Sequence, residues 1–216
     1  MTDHHHHDHI HTGDPHASIV SPEPDPEALI LERAVRELLL EKGVISADEW
    51  RRQIELMDSR SAAVGAKIIA RAWVDPEFKK RLLANAKAAA EELGADTSNA
   101  PEVVALENTE RRHHLVVCTL CSCYPKAILG IPPAWYKSTA YRARAVKDPR
   151  GVLREFGTEL PDTVEVRVVD STADLRYLVL PRRPAGTEDM TEEQLAELVT
   201  RDSMIGVTTA RHHRPL

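Results

Sequence analysis

The chain has 216 residues, of which 28 are Lys or Arg and 34 are Asp or Glu, giving a formal net charge of −6 with 42% hydrophobic residues. This composition is typical of a globular protein of one or two domains. The basic residues are scattered and form no stripe for a phosphate backbone, so nucleic acid is excluded as an expected partner, and no apolar run reaches the roughly 18 to 20 residues that cross a bilayer.

The N-terminal segment is predicted to be a disordered, His-rich tail over residues 1–24. It carries seven histidines and three prolines and has little to bury. Such tracts bind transition metals by composition alone, so the open alternatives are a metal-handling role, a solvated tail and an expression tag. The segment does not resemble a secretory signal, and the cysteine count is odd, which together favour a reducing cytoplasm.

A helical N-terminal region is predicted over residues 25–100. The first helix follows an N-cap at Asp25 with Pro26 in the first turn, and the second begins with a capping box formed by Ser46 and Glu49. Apolar residues recur with the helical period between these signals. The four helices are predicted over 26–42, 46–57, 61–73 and 76–94.

A mixed α/β domain is predicted over residues 101–208, followed by a flexible tail over 209–216. Alternating and β-branched residues predict four strands, at 101–108, 113–118, 163–169 and 174–181. Helices are predicted at 132–145, 148–157 and 191–202. The fold class is therefore α+β, with a helical N-terminal arm followed by a layered α-β-β-α domain that carries a CxxCxC metal loop.

All three cysteines of the chain, Cys118, Cys121 and Cys123, fall within six positions. Three sulfurs cannot pair off into disulfides, and neither a zinc site nor an iron–sulfur cluster has its usual four ligands here. A Cys3His zinc site with His113 or His114, a redox dithiol, and three buried cysteines that act as small hydrophobes remain alternatives. The two histidines are expected instead to be strand residues with hydrogen-bonded partners.

The backbone of this loop adds possible ligands. The amide nitrogens of Ser122 and Cys123 lie beside the thiolates, so three sulfurs and two deprotonated nitrogens would leave one of six octahedral positions open. Only a strongly Lewis-acidic, trivalent metal favours deprotonated amides, and the open position would accept water or substrate. A protein that stores or delivers metal is the alternative from a different functional class.

Several longer motifs surround the CxxCxC loop, and with them the chain resembles the α subunit of nitrile hydratase. The similarity also extends upstream through AKIIARAWVDPEFKK at 66–80. The other motifs are VCTLCSCYP at 117–125, LGIPPAWYKS at 129–138, YRARAVKDPRGVL at 141–153, DLRYLVLPRRPAGTE at 174–188 and LVTRDSMIGV at 198–207.

The resemblance implies one non-haem iron(III) or noncorrin cobalt(III) ion per chain, held by the thiolates of Cys118, Cys121 and Cys123 and by the amides of Ser122 and Cys123. In the family, the cysteines at positions 121 and 123 are oxidised to sulfinic and sulfenic acid. Thr119 favours cobalt, because iron members carry serine there. The hydroxyls of Thr119 and Ser122 are expected to hydrogen-bond to the oxidised sulfurs and tune the metal.

The activity that the resemblance implies is hydration of a nitrile to the corresponding amide, with Cys121 and Cys123 as the catalytic residues. The sulfenate oxygen of Cys123 would act as nucleophile or base. A β-type subunit would complete the pocket, in an αβ heterodimer or a higher assembly, and a metallochaperone would load the ion. Four arginines are expected to support the loop or the subunit interface, namely Arg142, Arg144, Arg167 and Arg176.

Two departures from the family pattern bear on the substrate. Lys126 stands where many nitrile hydratases have tryptophan, and it is expected to line the substrate pocket and favour an anionic or strongly polar substrate. Val169 stands in place of another tryptophan, before Asp170 and Ser171. A related enzyme with the same CTLCSC centre, thiocyanate hydrolase, also tends to be basic at the position of Lys126, so hydrolysis of thiocyanate to carbonyl sulfide and ammonia is the alternative activity.

Overall fold

The computed structural model describes residues 26–59 and 61–212. The predictions of a disordered tail over 1–24, of a cap at Asp25 and of a tail at 213–216 lie outside the described residues. Nearer the C-terminus, Ala210 is buried and the Arg211 amide donates a hydrogen bond to the Leu198 carbonyl. The chain therefore still contacts the fold at the start of the predicted C-terminal tail.

The described chain contains both helices and strands, as the α+β prediction requires. All four predicted strands are present within one or two residues of their expected bounds. The strands are β1 Glu102–Glu107, β2 Arg112–Val117, β3 Glu165–Asp170 and β4 Leu175–Leu180. The helices are α1 Pro26–Glu41, α2 Ala47–Ser59, α3 Ala62–Val74, α4 Pro76–Ala84, α5 Ala86–Glu92, α6 Lys126–Leu129, α7 Ala134–Lys137, α8 Thr139–Lys147, α9 Pro149–Glu155, α10 Glu192–Leu198 and α11 Arg201–Ile205.

Three of the predicted helices are each divided in two. The break between α4 and α5 falls at Asn85, the break between α7 and α8 at Ser138, and the break between α10 and α11 precedes Arg201, where Thr200 forms a capping box with Ser203. In each case the side chain accepts a hydrogen bond from a backbone N–H of the next helix. Short polar side chains compete in this way with helical hydrogen bonds, so continuous apolar periodicity overestimated helix length.

The strands form two separate parallel pairs. Strand β1 pairs with β4, and β2 pairs with β3 in a register that places Val117 opposite Asp170. In a parallel pair both strands end at the same edge, so the residues that follow β2 emerge beside the end of β3. This edge positions the cysteine loop.

The hydrophobic core joins the strands to the helix α3. Ile68 and Ile69 of this helix and Leu178 of β4 are fully inaccessible to solvent. The helix α1 differs, because none of its 16 residues is buried. Within the described residues, no helix is long and apolar enough to span a membrane.

Candidate metal centre

The cysteine loop begins directly after β2. Cys118 is buried at the end of the strand, Cys121 is exposed at the turn, and Cys123 is again buried. The chain thus leaves the core and returns to it within six residues. Side chains at both ends of the loop are held by the core, while the middle sulfur faces outward.

The three sulfur atoms lie close together and form no disulfide. Cys121 Sγ is 3.4 Å from Cys118 Sγ and 3.1 Å from Cys123 Sγ. All three lie within 4.8 Å of one another. Among the described residues, they form a group of side chains that could hold a metal ion. One ion could therefore contact all three sulfurs at the usual metal–thiolate distance of about 2.3 Å.

The environments of the Cys121 and Cys123 sulfurs differ. Hydrogen bonds from the Cys123 and Cys118 sulfurs, with smaller contributions from the backbone N–H groups of Ser122 and Cys123, lower the pKa of Cys121 to about 7. Burial raises the pKa of Cys123 to about 12. The two amides predicted as nitrogen ligands therefore lie beside the Cys121 sulfur.

A carboxylate at the end of β3 anchors the first turn of the loop. Asp170 accepts hydrogen bonds from the Thr119 backbone N–H at 3.0 Å and from the Thr119 hydroxyl at 2.5 Å. The Thr119 hydroxyl is therefore engaged by Asp170 in this structure, and its expected hydrogen bond to an oxidised sulfur stays a prediction. A charged carboxylate is the stronger acceptor, and the parallel register brings it to the right edge.

Tyrosine hydroxyls support the backbone on either side of the cysteines. The Tyr136 hydroxyl donates to the Cys123 carbonyl at 2.8 Å, and the Tyr141 hydroxyl donates to the Val116 carbonyl at 2.6 Å. Both rings are fully inaccessible to solvent. Burial raises the pKa of Tyr136, so its hydroxyl keeps the proton that this hydrogen bond requires.

Two of the four candidate arginines lie at the loop. Arg142 of α8 reaches the Thr119 carbonyl at 3.5 Å, and Arg176 of β4 lines the same cavity as Cys121 and Cys123. The other two are engaged elsewhere. Arg144 contacts Glu155, and Arg167 lies 3.7 Å from Glu165 on the exposed face of β3.

A cavity of about 380 Å³ opens beside the loop. Cys121, Ser122 and Cys123 form one wall, and Lys126 and Arg176 contribute two positive charges. Lys126 is solvent-exposed at the start of α6, so its ammonium remains available at the rim. The volume suits a small molecule, and Lys126 lies in the same cavity lining as the cysteines, while its place in a substrate pocket stays a prediction.

The histidines of β2 are hydrogen-bonded to other groups and do not act as metal ligands in this arrangement. His113 and His114 are both buried, and each ring contacts the Asn108 side chain, at 3.2 and 3.0 Å. The His113 Nε2–H also donates to the Gly206 carbonyl at 2.7 Å. These partners confirm the expectation that both are hydrogen-bonded strand residues, and the Cys3His alternative loses its fourth ligand.

The donor set fits a metal ion. Three sulfurs converge, two backbone amides lie beside the Cys121 sulfur, and the Nε and one terminal nitrogen of Arg176 are buried without a hydrogen-bond partner among the described residues. A guanidinium with two buried, unpaired nitrogens beside converging thiols indicates that an anionic group belongs at this position. The arrangement can therefore hold a metal ion at the wall of the cavity.

Sequence reasoning did not single out Asp170 or the hydroxyl of Tyr136 as supports of the loop. Both lie far from the cysteines in the chain. An acidic residue that ends a strand is a signal for Asp170, but its value depends on knowing that β3 pairs with β2. The Tyr136 ring packs in the core while its hydroxyl reaches the loop.

Comparisons with known proteins give consistent matches. A sequence profile of the family described as "Nitrile hydratase, alpha chain" matches residues 27–208. The low-molecular weight cobalt-containing nitrile hydratase subunit alpha of Rhodococcus rhodochrous is 55% identical over 188 residues, which cover 87% of this chain and 91% of that protein.

Two further relatives bear on the substrate and the metal. The thiocyanate hydrolase subunit gamma of Thiobacillus thioparus is 44% identical over 193 residues, covering 84% of this chain and 79% of that protein. A double mutant of the Fe-type nitrile hydratase from Comamonas testosteroni Ni1 superimposes with a TM-score of 0.83 at 40% identity, covering 89% of this chain and 97% of that one.

Proposed function

The chain belongs to the nitrile hydratase alpha-chain family and is an enzyme subunit of that family, and from this premise we propose that it carries the metal for hydration of a nitrile to the corresponding amide. The observation that carries the proposal is the convergence of three cysteine sulfurs within 4.8 Å at the wall of a cavity. Membership in the family supports the type of reaction, and the sulfur cluster supports the location of the metal site.

The proposed ion is cobalt(III), held by the thiolates of Cys118, Cys121 and Cys123 and by the amides of Ser122 and Cys123. The cobalt-containing relative at 55% identity and Thr119 support cobalt, whereas the Fe-type structural relative keeps iron(III) as the alternative. When bound, the ion supplies Lewis-acid chemistry that polarises a nitrile or lowers the pKa of a bound water.

Oxidation of Cys121 and Cys123 is part of the proposal. Cys121 is exposed and has the lower pKa, which is the combination that makes a thiol susceptible to oxidation. Cys123 is buried and lines the same cavity. The chain's own contribution is to hold these sulfurs at the cavity wall through Asp170 and Tyr136.

A β-type subunit is the proposed partner, because alpha chains of this family act in heteromers with a beta chain. The helix α1 has an exposed apolar face, on which Ile30 is 69% and Leu31 is 65% exposed, and this face supports the proposal that a partner covers it. Most of the stability of a helix in a protein comes from packing of its apolar face, so α1 gains stability by packing on another surface. A metallochaperone that loads the ion and a cytoplasmic location are proposed with it.

The test uses the complex purified with its β-type partner. Elemental analysis and intact mass are expected to give one inert cobalt per chain and added oxygen atoms on Cys121 and Cys123. Supplying small nitriles is expected to yield amides. Labile zinc with unmodified cysteines would contradict the proposal and favour a storage or delivery protein.

Thiocyanate hydrolysis is the second candidate function. It is favoured by the 44% identity to a thiocyanate hydrolase gamma subunit and by the positive charge of Lys126 at the cavity rim. Thiocyanate is an anion, so an ammonium at this position would attract it. The same purified complex discriminates the two, because consumption of thiocyanate with no conversion of nitriles would replace the first proposal by the second.

A matched pair of variants sharpens this choice. Lys126→Met removes the rim charge but keeps an unbranched side chain, and Lys137→Met removes a similar charge from α7 as the control. If the substrate is a neutral nitrile, KM is expected to change little in either variant. A several-fold rise of KM for thiocyanate in Lys126→Met alone would favour the anionic substrate.

A further inference from the structure

We propose that Arg176 is a positioning residue that compensates the negative charge of the loaded metal centre from within this chain and retains the ion there. The inference rests on the proposed function, since it concerns the same metal loop. It adds a charge partner from β4, outside the loop that supplies the ligands.

Arg176 holds an unusual position for an arginine. Its Nε and one terminal nitrogen are buried, and neither has a hydrogen-bond partner in the part of the chain that the structure describes. Unpaired buried N–H groups of a charged side chain are costly, and arginine rarely lacks partners when it is buried. The two nitrogens therefore require an acceptor that the described residues do not supply.

The strand directs this side chain at the cysteines. Arg176 is the second residue of β4 and pairs in register with Val103 of β1. Both residues line the cavity whose wall is formed by Cys121, Ser122 and Cys123.

The loaded centre would require such a partner. Three thiolates and two deprotonated amides around one trivalent cation leave two net negative charges on the loop. A buried anion is stable only when it is paired with positive charge and hydrogen-bonded. The planar guanidinium offers several N–H donors in one fork, which suits a sulfur or an oxygen on that sulfur as the acceptor.

A second arginine shows the same feature. The Nε of Arg142 is buried without a partner among the described residues, while one of its terminal nitrogens contacts the Thr119 carbonyl. Two guanidinium groups thus flank a loop whose loaded form carries two net negative charges. Arg176 is the one to test, because two of its nitrogens lack partners and it lines the cavity itself.

The experiment compares cobalt retention in the purified complex with its β-type partner. Arg176→Met and Arg176→Gln remove the charge, Arg176→Lys keeps it, and Arg182→Met is the control. Arg182 is an exposed arginine about 20 Å farther along the direction of β4, at about 3.3 Å per residue, and its side chain contacts Glu110. Each complex is exposed to a chelator, and cobalt per chain is followed over time by elemental analysis.

Loss of cobalt is expected to be roughly ten-fold to 100-fold faster in Arg176→Met and Arg176→Gln, the range found when partners of metal ligands are removed. Arg176→Lys is expected to recover part of the retention, and Arg182→Met to match the unsubstituted complex. A residue that only fills space would not separate the lysine variant from the glutamine variant.

Equal retention in Arg176→Gln and the unsubstituted complex would overturn the inference. If Arg176→Met fails to assemble, the comparison of the glutamine and lysine variants decides the matter. The proposed function fails separately, because in that case the unsubstituted complex itself would hold no inert cobalt.

Discussion

The two ends of β2 each carry a cluster of side chains that commonly bind metals. The clusters differ in whether hydrogen bonds within the described chain pair their polar groups. At the start of the strand, His113 and His114 are buried and each ring has a hydrogen-bond partner. At its end, three sulfurs face one another, and a neighbouring arginine has buried nitrogens without partners. Residue type alone would rank the two clusters together.

This difference indicates which cluster is structural and which is functional. A buried polar group that is fully hydrogen-bonded has no free position for a ligand, and neutral histidines in such a network stabilise the fold. Converging acceptors with an unpaired cation beside them are stable only with a further partner. The four predictions below change one cluster or the other, from the largest expected effect to the smallest.

The largest effect is expected from removing a sulfur. In Cys121→Ala the loop offers only two thiolates, so we expect retention of cobalt to be abolished, and the same result from Cys118→Ala or Cys123→Ala. Elemental analysis of the purified complex measures this. Ser122→Ala is the matched control in the same loop, because it keeps the backbone amide, and it should retain its metal. A full complement of cobalt in Cys121→Ala would contradict the metal site.

At the other end of the strand, the expected effect is on stability and depends on pH. Burial lowers the pKa of His114 to about 4, assisted by the charges of Arg112, His113 and Arg167 and opposed by Glu165. The folded pKa is depressed, so the unfolded chain takes up the proton first. The contribution of His114 to the free energy of unfolding is therefore largest above about pH 6.5. It decreases as the pH drops toward 4, by up to about 3 kcal/mol.

Denaturant unfolding at pH 7 and at pH 4.5 checks this, with His114→Gln as the comparison. The substituted chain is expected to be less stable at pH 7 and to lose less stability on acidification. An identical pH dependence in both chains would mean that carboxylates, and not His114, dominate this range.

A smaller effect is expected from the anchor of the cysteine loop. Asp170→Asn keeps one acceptor for Thr119 but removes the charge, which should cost about 1 to 2 kcal/mol of loop stability. Cobalt should then be lost several-fold faster to a chelator. Asp174→Asn, beside the start of β4, is the control. If both variants lose cobalt at the same rate, the carboxylate has no special role.

The smallest effect is expected at the tip of the same loop. Leu120 is 88% exposed, so Leu120→Ser should change the free energy of unfolding of this chain by less than about 0.5 kcal/mol. Any larger effect should appear only in binding of the β-type partner, measured by titration of the two subunits. Destabilisation of the chain by more than about 1 kcal/mol would show that Leu120 packs within it.

Much of the fold follows from local sequence signals. Alternating β-branched residues predicted the four strands, and Ser46 with Glu49 predicted the start of α2, which has the expected hydrogen bonds. The predicted helix at 76–94 was too long because the cap at Asn85 competes with an otherwise continuous apolar pattern. Local propensity and local capping were both visible in the sequence, but their relative strength was not.

The sequence by itself determined that three sulfurs share one loop, because so few residues join Cys118, Cys121 and Cys123. Only the tertiary structure decided what surrounds that loop. Asp170 and Arg176 come from strands about 50 residues away, and their proximity depends on parallel pairing, whose partners and register are fixed by packing of the whole core. For the same reason, the sequence predicted that His113 and His114 are hydrogen-bonded strand residues, but only the structure identified Asn108 and Gly206 as their partners.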